Sequence, residues 1–190
     1  MSEVKELSIS QWREKYGWED RFLMLYYGHS WKSKGIDALI QSLPKLLTNN
    51  PEALFVFNLI PSKRDSEIKQ KIKQIAKKAW FSDRVFIFSW WEIEQLRTLV
   101  ACADVVIAPS LAEGFWSVHS EVCSLGIPLI TTKVAAIPEV VRWKVNFVCP
   151  NVPQDIISAV EKVQRGEFED LLPKSFSRDE AVEKIEKLYE

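Results

Sequence analysis

Three cysteines, two histidines and no long apolar run set the first limits on this 190-residue chain. Cys102, Cys123 and Cys149 are odd in number, far apart and set in apolar segments, with no C-x-x-C pair and no histidine cluster nearby. That pattern excludes a disulfide framework and a structural zinc site, and the thiols read as reduced and mostly buried. His29 and His119 are too few and too separated for a metal centre built from protein ligands, so none is expected. No apolar stretch reaches the length of a membrane span, and "MSEVKELSIS" lacks the basic-then-apolar layout of a secretory signal. A soluble, cytoplasmic protein is the expectation. The formal charge is only -1 and the isoelectric point near 6.2, so no overall field favours nucleic acid or a membrane surface. A polyanion would have to be gripped by a local cluster.

What is present is apolar sequence in short, regular pieces. At 47% hydrophobic residues, the chain suits one well-buried domain. Runs with strand character recur at 22–27, 53–60, 84–89, 104–110, 128–132 and 146–150, and their near-continuous apolarity fits strands buried on both faces. Between them the apolar residues take helical spacing: Ile36, Leu39, Ile40, Leu43 and Leu47, then Ile68, Ile72, Ile75 and Ala79, then Ile93, Leu96 and Val100. Such alternation predicts an α/β fold, a doubly wound, Rossmann-like parallel sheet of about six strands with helices on both faces.

Segments 117–125 and 154–165 supply two more helices, with Gly126 and Gly166 at the positions where helix ends favour glycine. Pro138 starts a short helix in "IPEVVRW". In the tail, Ser177 and Glu180 stand at capping-box spacing ahead of an amphipathic face of Val182, Ile185, Leu188 and Tyr189. Residues 1–20, polar with Trp12, Tyr16 and Trp18 interspersed, read as a leader helix or interdomain connector, and 21–190 as the domain. Neither an internal repeat nor a low-complexity tract occurs.

In an open sheet of this kind ligands bind beyond the carboxyl ends of the strands, where strand order reverses. The loop after the fourth strand is "PSLAEGFWSVHSEV", in which Glu113, Gly114, Phe115 and Trp116 precede a helix whose free amides suit phosphate. Glu121, further along that helix, can accept hydrogen bonds from a vicinal diol such as a ribose, and Glu113 can do the same for a second sugar. Spacing alone supports a second reading equally: Glu113 complements the helix dipole and Glu121 faces solvent. After the first strand, "YYGHSWKSKG" places a turn at Gly28 and Lys34 beside the next helix, where a lysine serves as a point charge for phosphate. Lys32 is a weaker candidate, and an exposed loop lysine is the commoner case for both.

These segments together resemble the C-terminal, donor-binding domain of the retaining GT-B glycosyltransferases, the group 1 or family four type. The resemblance spans about residues 20–190 and is most specific from Ala103 to Val141, which follows the family's "aDv-PS--EGFG----EA-a-G-PvI-----gg-pEvv" pattern, including the E-x(7)-E pair. It implies one half of a GT-B fold that binds a nucleoside-diphosphate sugar. Glu121 would hold the nucleotide ribose and Glu113 the donor-sugar hydroxyls. Lys34 would neutralise the diphosphate, aided by Gly28, His29 and amides around Gly114, Phe115 and Trp116. Lys34 and Glu113 would then carry the catalytic roles.

The chain departs from that pattern at several points. His29 stands where the family usually has arginine, Trp116 replaces a glycine, Ala135-Ala136 replaces Gly-Gly, and "IPSKRD" replaces a glycine-rich loop. A protonated His29 partnering the diphosphate would make nucleotide affinity fall as pH rises through about 6.5. Trp90 and Trp91 follow the third strand, where relatives pass the nucleotide base, although packing is their commoner use. The family gives His119 no fixed role.

By resemblance the activity is retaining transfer of a hexose to a glycan, lipid or small-molecule acceptor, with a nucleotide-sugar donor and no metal. Acceptor groups would come from an N-terminal GT-B domain in the same or a separate chain, which could also attach the protein peripherally to a membrane. The alternative is a non-catalytic nucleotide-sugar-binding or assembly module with a degenerate site. Two-domain nucleotide-sugar epimerases are a third option, but their histidine and carboxylate patterns are missing.

Overall fold

The computed structural model describes residues 8–89, 93–113, 117–169, 171, 182–183 and 186–187. Six parallel strands form one sheet: β1 (Phe22–His29), β2 (Ala53–Ile60), β3 (Val85–Ser89), β4 (Val105–Ala108), β5 (Leu129–Thr132) and β6 (Val145–Val148). Their order is β3-β2-β1-β4-β5-β6, so the chain winds outward in one direction from β1, then returns to its other side at β4. Pairings such as Phe22 with Ala53 and Met24 with Val105 are all parallel. The expected doubly wound sheet is observed, with every strand within a few residues of its expected span.

Helices connect the strands: α1 (Ile9–Tyr16), α2 (Ile36–Asn49), α3 (Asp65–Lys78), α4 (Ile93–Cys102), α5 (Ser117–Ser124), α6 (Ile137–Val140) and α7 (Pro153–Gln164). A 3-10 turn at Lys32–Lys34 precedes α2. Strand residues alternate between two apolar layers. Met24, Tyr26, Phe55, Phe57, Val105 and Ile107 meet α2, α3 and α7, whereas Leu23, Leu25, Leu54, Val56, Val106 and Leu129 meet the α4, α5 and α6 side. Both faces are therefore covered, which is why the strands read as unbroken apolar runs. The predicted face of α2, from Ile36 to Leu47, is fully buried. The helix expected from "IPEVVRW" ends at Val140, earlier than its apolar sequence suggests.

Residues 8–18 are part of this packing. Ser8 caps α1: its hydroxyl accepts from the Gln11 amide while the Gln11 side chain accepts from the Ser8 amide, a reciprocal capping box. Trp18 has no exposed surface and stacks on Tyr16 with 4.7 Å between ring centroids. Arg13 fastens the segment to the sheet. One guanidinium nitrogen donates to the Cys102 carbonyl at 2.6 Å and to Asp104 at 2.8 Å, and the other reaches the Arg21 carbonyl at 3.1 Å. Asp104 in turn accepts from the Leu23 amide at 2.7 Å, at the entrance of β1.

Cys102 and Cys123 are buried and Cys149 is exposed, all as free thiols. Burial pushes the Cys102 thiol up to about 11. In the tail, Ser177, Glu180, Ile185, Leu188 and Tyr189 lie outside the described residues, as do Trp90 and Trp91. Among the described residues no helix is long and apolar enough to cross a membrane.

Candidate functional site

Because β1 and β4 are neighbours, the loops leaving their carboxyl ends meet. The Ser33 carbonyl accepts from the amides of Leu111 at 2.7 Å and Ala112 at 3.2 Å, locking the turn before α2 to the loop after β4. Gly35 makes that approach possible. It lies at φ +68°, and a β-carbon added there would sit 1.8 Å from the Pro109 carbonyl oxygen. Only glycine combines that left-handed backbone with so close a contact.

The clamp positions Lys34 against Glu113. Lysine Nζ lies 2.6 Å from Glu113 Oε2, and the Ser110 hydroxyl donates to Oε1. The Glu113 side chain is only 4% exposed and that of Lys34 23% exposed, so this ion pair is shielded from water far better than a surface pair. Glu113 is thus a buried carboxylate paired with a specific lysine.

Glu121 is exposed on α5, yet its carboxylate is oriented: the Tyr27 hydroxyl donates to Oε2 at 3.0 Å. Burial, reinforced by the Glu121 charge, pushes the Tyr27 phenol well above its ordinary range, keeping it a proton donor at any physiological pH. One carboxylate oxygen is thus held while the other has no partner among the described residues.

A cleft of about 400 Å³ opens between these loops, lined among others by Gly28, His29, Trp31, Lys34, Glu113 and His119. His29 stacks on Trp31 with ring centroids 4.1 Å apart and planes 2° from parallel. Burial, with the nearby Lys34 charge, lowers its pKa from the usual value. The titration expected near 6.5 moves toward acid, and a protonated His29 partner for phosphate moves with it.

His119 is 1% exposed; its Nε2 lies 2.9 Å from the Thr131 hydroxyl, and Nδ1 has no partner among the described residues. Burial pushes this imidazole down to about 4. A histidine depressed in the folded state stabilises the fold fully above its unfolded pKa, near 6.5, and less as pH falls toward 4. From His119 alone, stability should drop by about 2–3 kcal/mol between pH 7 and pH 4.5. Urea denaturation at both values should show a smaller drop in a His119→Leu variant; an equal drop in both proteins would place the acid sensitivity elsewhere.

Of the residues expected from sequence, Gly28, His29, Lys34 and Glu113 line one cleft, and Glu121 joins them through Tyr27. Lys32 is exposed, while Gly114, Phe115 and Trp116 lie outside the described residues. Sequence reading missed Tyr27, Ser110, Thr131 and the close approach at Gly35. Tyr27 had a usable signal: a polar-tipped aromatic one residue before the strand-end glycine at the switch point.

A doubly wound sheet with a charged cleft at its switch point defines an open α/β domain of the kind that binds ligands beyond the carboxyl ends of its strands. The profile of the glycosyl transferases group 1 family matches residues 8–189, and the chain belongs to that family. It is 28% identical over 175 residues to the gpi3 subunit of phosphatidylinositol N-acetylglucosaminyltransferase from Schizosaccharomyces pombe, covering 87% of this chain and 36% of that protein. It is also 28% identical over 134 residues to spore coat protein SA of Bacillus subtilis, covering 68% of this chain and 35% of the relative. The chain therefore spans well under half the length of either.

Among solved structures, the C-terminal domain of the group 1 glycosyl transferase LpcC from Francisella tularensis aligns with a TM-score of 0.72 at 21% identity, covering 86% of this chain and 84% of that one. HepE of Anabaena, solved with UDP and glucose, aligns with a TM-score of 0.71 at 18% identity, covering 83% of this chain and 43% of HepE. At such identities the likeness establishes the fold, that of a C-terminal GT-B domain.

Proposed function

We propose that this chain is the donor-binding half of a retaining glycosyltransferase, gripping a nucleoside-diphosphate sugar between the loops after β1 and β4. The observation that carries this reading is the pair of placed carboxylates: Glu113 beside Lys34 inside the cleft, and Glu121 held by Tyr27 at the next helix. Glu121 would take the ribose hydroxyls with its free oxygen. Glu113 would take the sugar, and Lys34, fixed beside it, would meet the diphosphate.

In transfer the bond between the anomeric carbon and the diphosphate breaks, and negative charge gathers on the departing phosphate. Lys34 and the positive end of α5 would supply potential there, while Glu113 would orient the sugar. The acceptor's surface and the remainder of the catalytic apparatus belong to an N-terminal GT-B domain. His29, its pKa lowered by burial and by Lys34, stands where the family pattern has arginine, which favours a second reading, a binding module that has lost transfer.

Calorimetric titration with UDP, GDP and ADP, alone and as sugar conjugates, tests the assignment. One nucleotide should bind, and Glu121→Ala and Lys34→Ala should each weaken it roughly 10- to 100-fold, the worth of a charge-assisted hydrogen bond. Binding indifferent to Glu121, or none at millimolar ligand, would remove the donor-site reading. Nucleotide binding without transfer once the N-terminal domain is added would select the non-catalytic module.

A further inference from the structure

The partners of His119 fix which of its nitrogens carries the proton. Thr131 Oγ1 lies 2.9 Å from His119 Nε2 and 2.9 Å from the Ala108 carbonyl. A carbonyl only accepts, and a hydroxyl has one proton to give. For both contacts to be hydrogen bonds, Thr131 donates to Ala108 and Nε2–H donates to Thr131. Nδ1 is then a bare acceptor, buried and without a partner among the described residues.

The fold itself does not need that acceptor. Thr131 is already satisfied through Ala108, so an apolar side chain of similar volume at position 119 would leave no polar group stranded. An unpaired buried nitrogen instead costs free energy. His119 also lines the cleft that holds Lys34 and Glu113, and both of those charges act on its ring. What satisfies Nδ1 there must be a donor. Lys34 is held on Glu113, and a diphosphate at neutral pH offers acceptors only. A sugar offers several hydroxyl donors.

We propose that His119 reads the sugar of the donor: its Nδ1 accepts a hydrogen bond from a sugar hydroxyl, a contact separate from that of Glu113, with Thr131 as the positioning residue that holds the required tautomer. The inference rests on the nucleotide-sugar reading above. It makes His119 a specificity residue that touches the sugar and not the nucleotide, because a neutral acceptor gives the diphosphate nothing.

Titration of the matched pairs UDP and UDP-glucose, GDP and GDP-mannose, and ADP and ADP-glucose separates the two contributions. In one pair the conjugate should bind wild type more tightly than its nucleotide. His119→Leu should leave the nucleotide dissociation constant unchanged and weaken the conjugate roughly 3- to 10-fold, the range of one neutral hydrogen bond. Its melting temperature at pH 7.5 should match or exceed wild type, which a structural histidine would not allow. Thr131→Val should cut the same sugar increment by freeing the tautomer, and it carries the test if the leucine variant fails to fold. A sugar increment that survives both substitutions, equal weakening of nucleotide and conjugate, or a wild type that gains nothing from the sugar overturns the proposal and leaves the nucleotide site standing. Failure of all six ligands to bind wild type overturns the nucleotide-sugar reading and this inference together.

Discussion

Gly35→Ala is expected to cost about 4 kcal/mol of stability, and nucleotide affinity with it. A non-glycine residue in the left-handed region costs about 1–2 kcal/mol, and forcing an extra carbon into a closed contact costs about 1–3 kcal/mol more. The added carbon would stand 1.8 Å from the Pro109 carbonyl oxygen and 2.7 Å from its carbon, both main chain, so no side chain can swing aside. Either the turn carrying Lys34 or the loop carrying Glu113 must move, and the bonds from Leu111 and Ala112 to Ser33 loosen. Gly166→Ala is the control: its φ is +71° with nothing within 4 Å of the added carbon. Urea melts and nucleotide titration of both variants decide the matter. If Gly35→Ala costs no more than Gly166→Ala, the proximity of the two loops is not what restricts this position.

The second large effect is expected at Arg13. Arg13→Ala strips the donor from the partly buried Cys102 and Arg21 carbonyls and the cation from Asp104, which keeps the Leu23 amide. Each such loss costs about 1–3 kcal/mol before solvent screening of the half-exposed Asp104; a total of about 3 kcal/mol is expected. Arg13→Lys should recover less than half, since one ammonium cannot reproduce a planar fork reaching several acceptors. Thermal melts of the three proteins test the order. An alanine variant as stable as wild type would mean that residues 8–18 ride on the domain without holding it.

Strands and helices were legible because burial on both faces leaves a plain trace: apolar runs of strand length alternating with helical spacing. The Glu113 and Glu121 pair could be picked out by its loop-to-helix placement, but spacing alone left it open between ligand groups and surface charge, and only the family resemblance favoured the first. What was not legible depends on contacts between segments distant in sequence. Nothing local in "KSKGID" says that Gly35 touches Pro109, and nothing in "WSVHSE" says that His119 meets a threonine on β5. Arg13 reads as an ordinary exposed helix residue until Asp104 comes beside it. The direction of the His29 shift was out of reach for the same reason, since the unperturbed value knows neither burial nor the Lys34 charge.

The two halves of the sheet differ in how far the chain must travel to close them. Met24 in β1 finds Phe55 of β2 after a single crossover, but it reaches Val105 of β4 only after β2, β3 and their helices have intervened. Forming the second junction carries the larger loop-closure entropy. The β1–β2–β3 half is thus the natural first unit to fold, and the cleft exists only once β4 has docked. A ligand that bridges Lys34 and Glu121 therefore grips the last seam to close, and should retard unfolding where the sheet would first part.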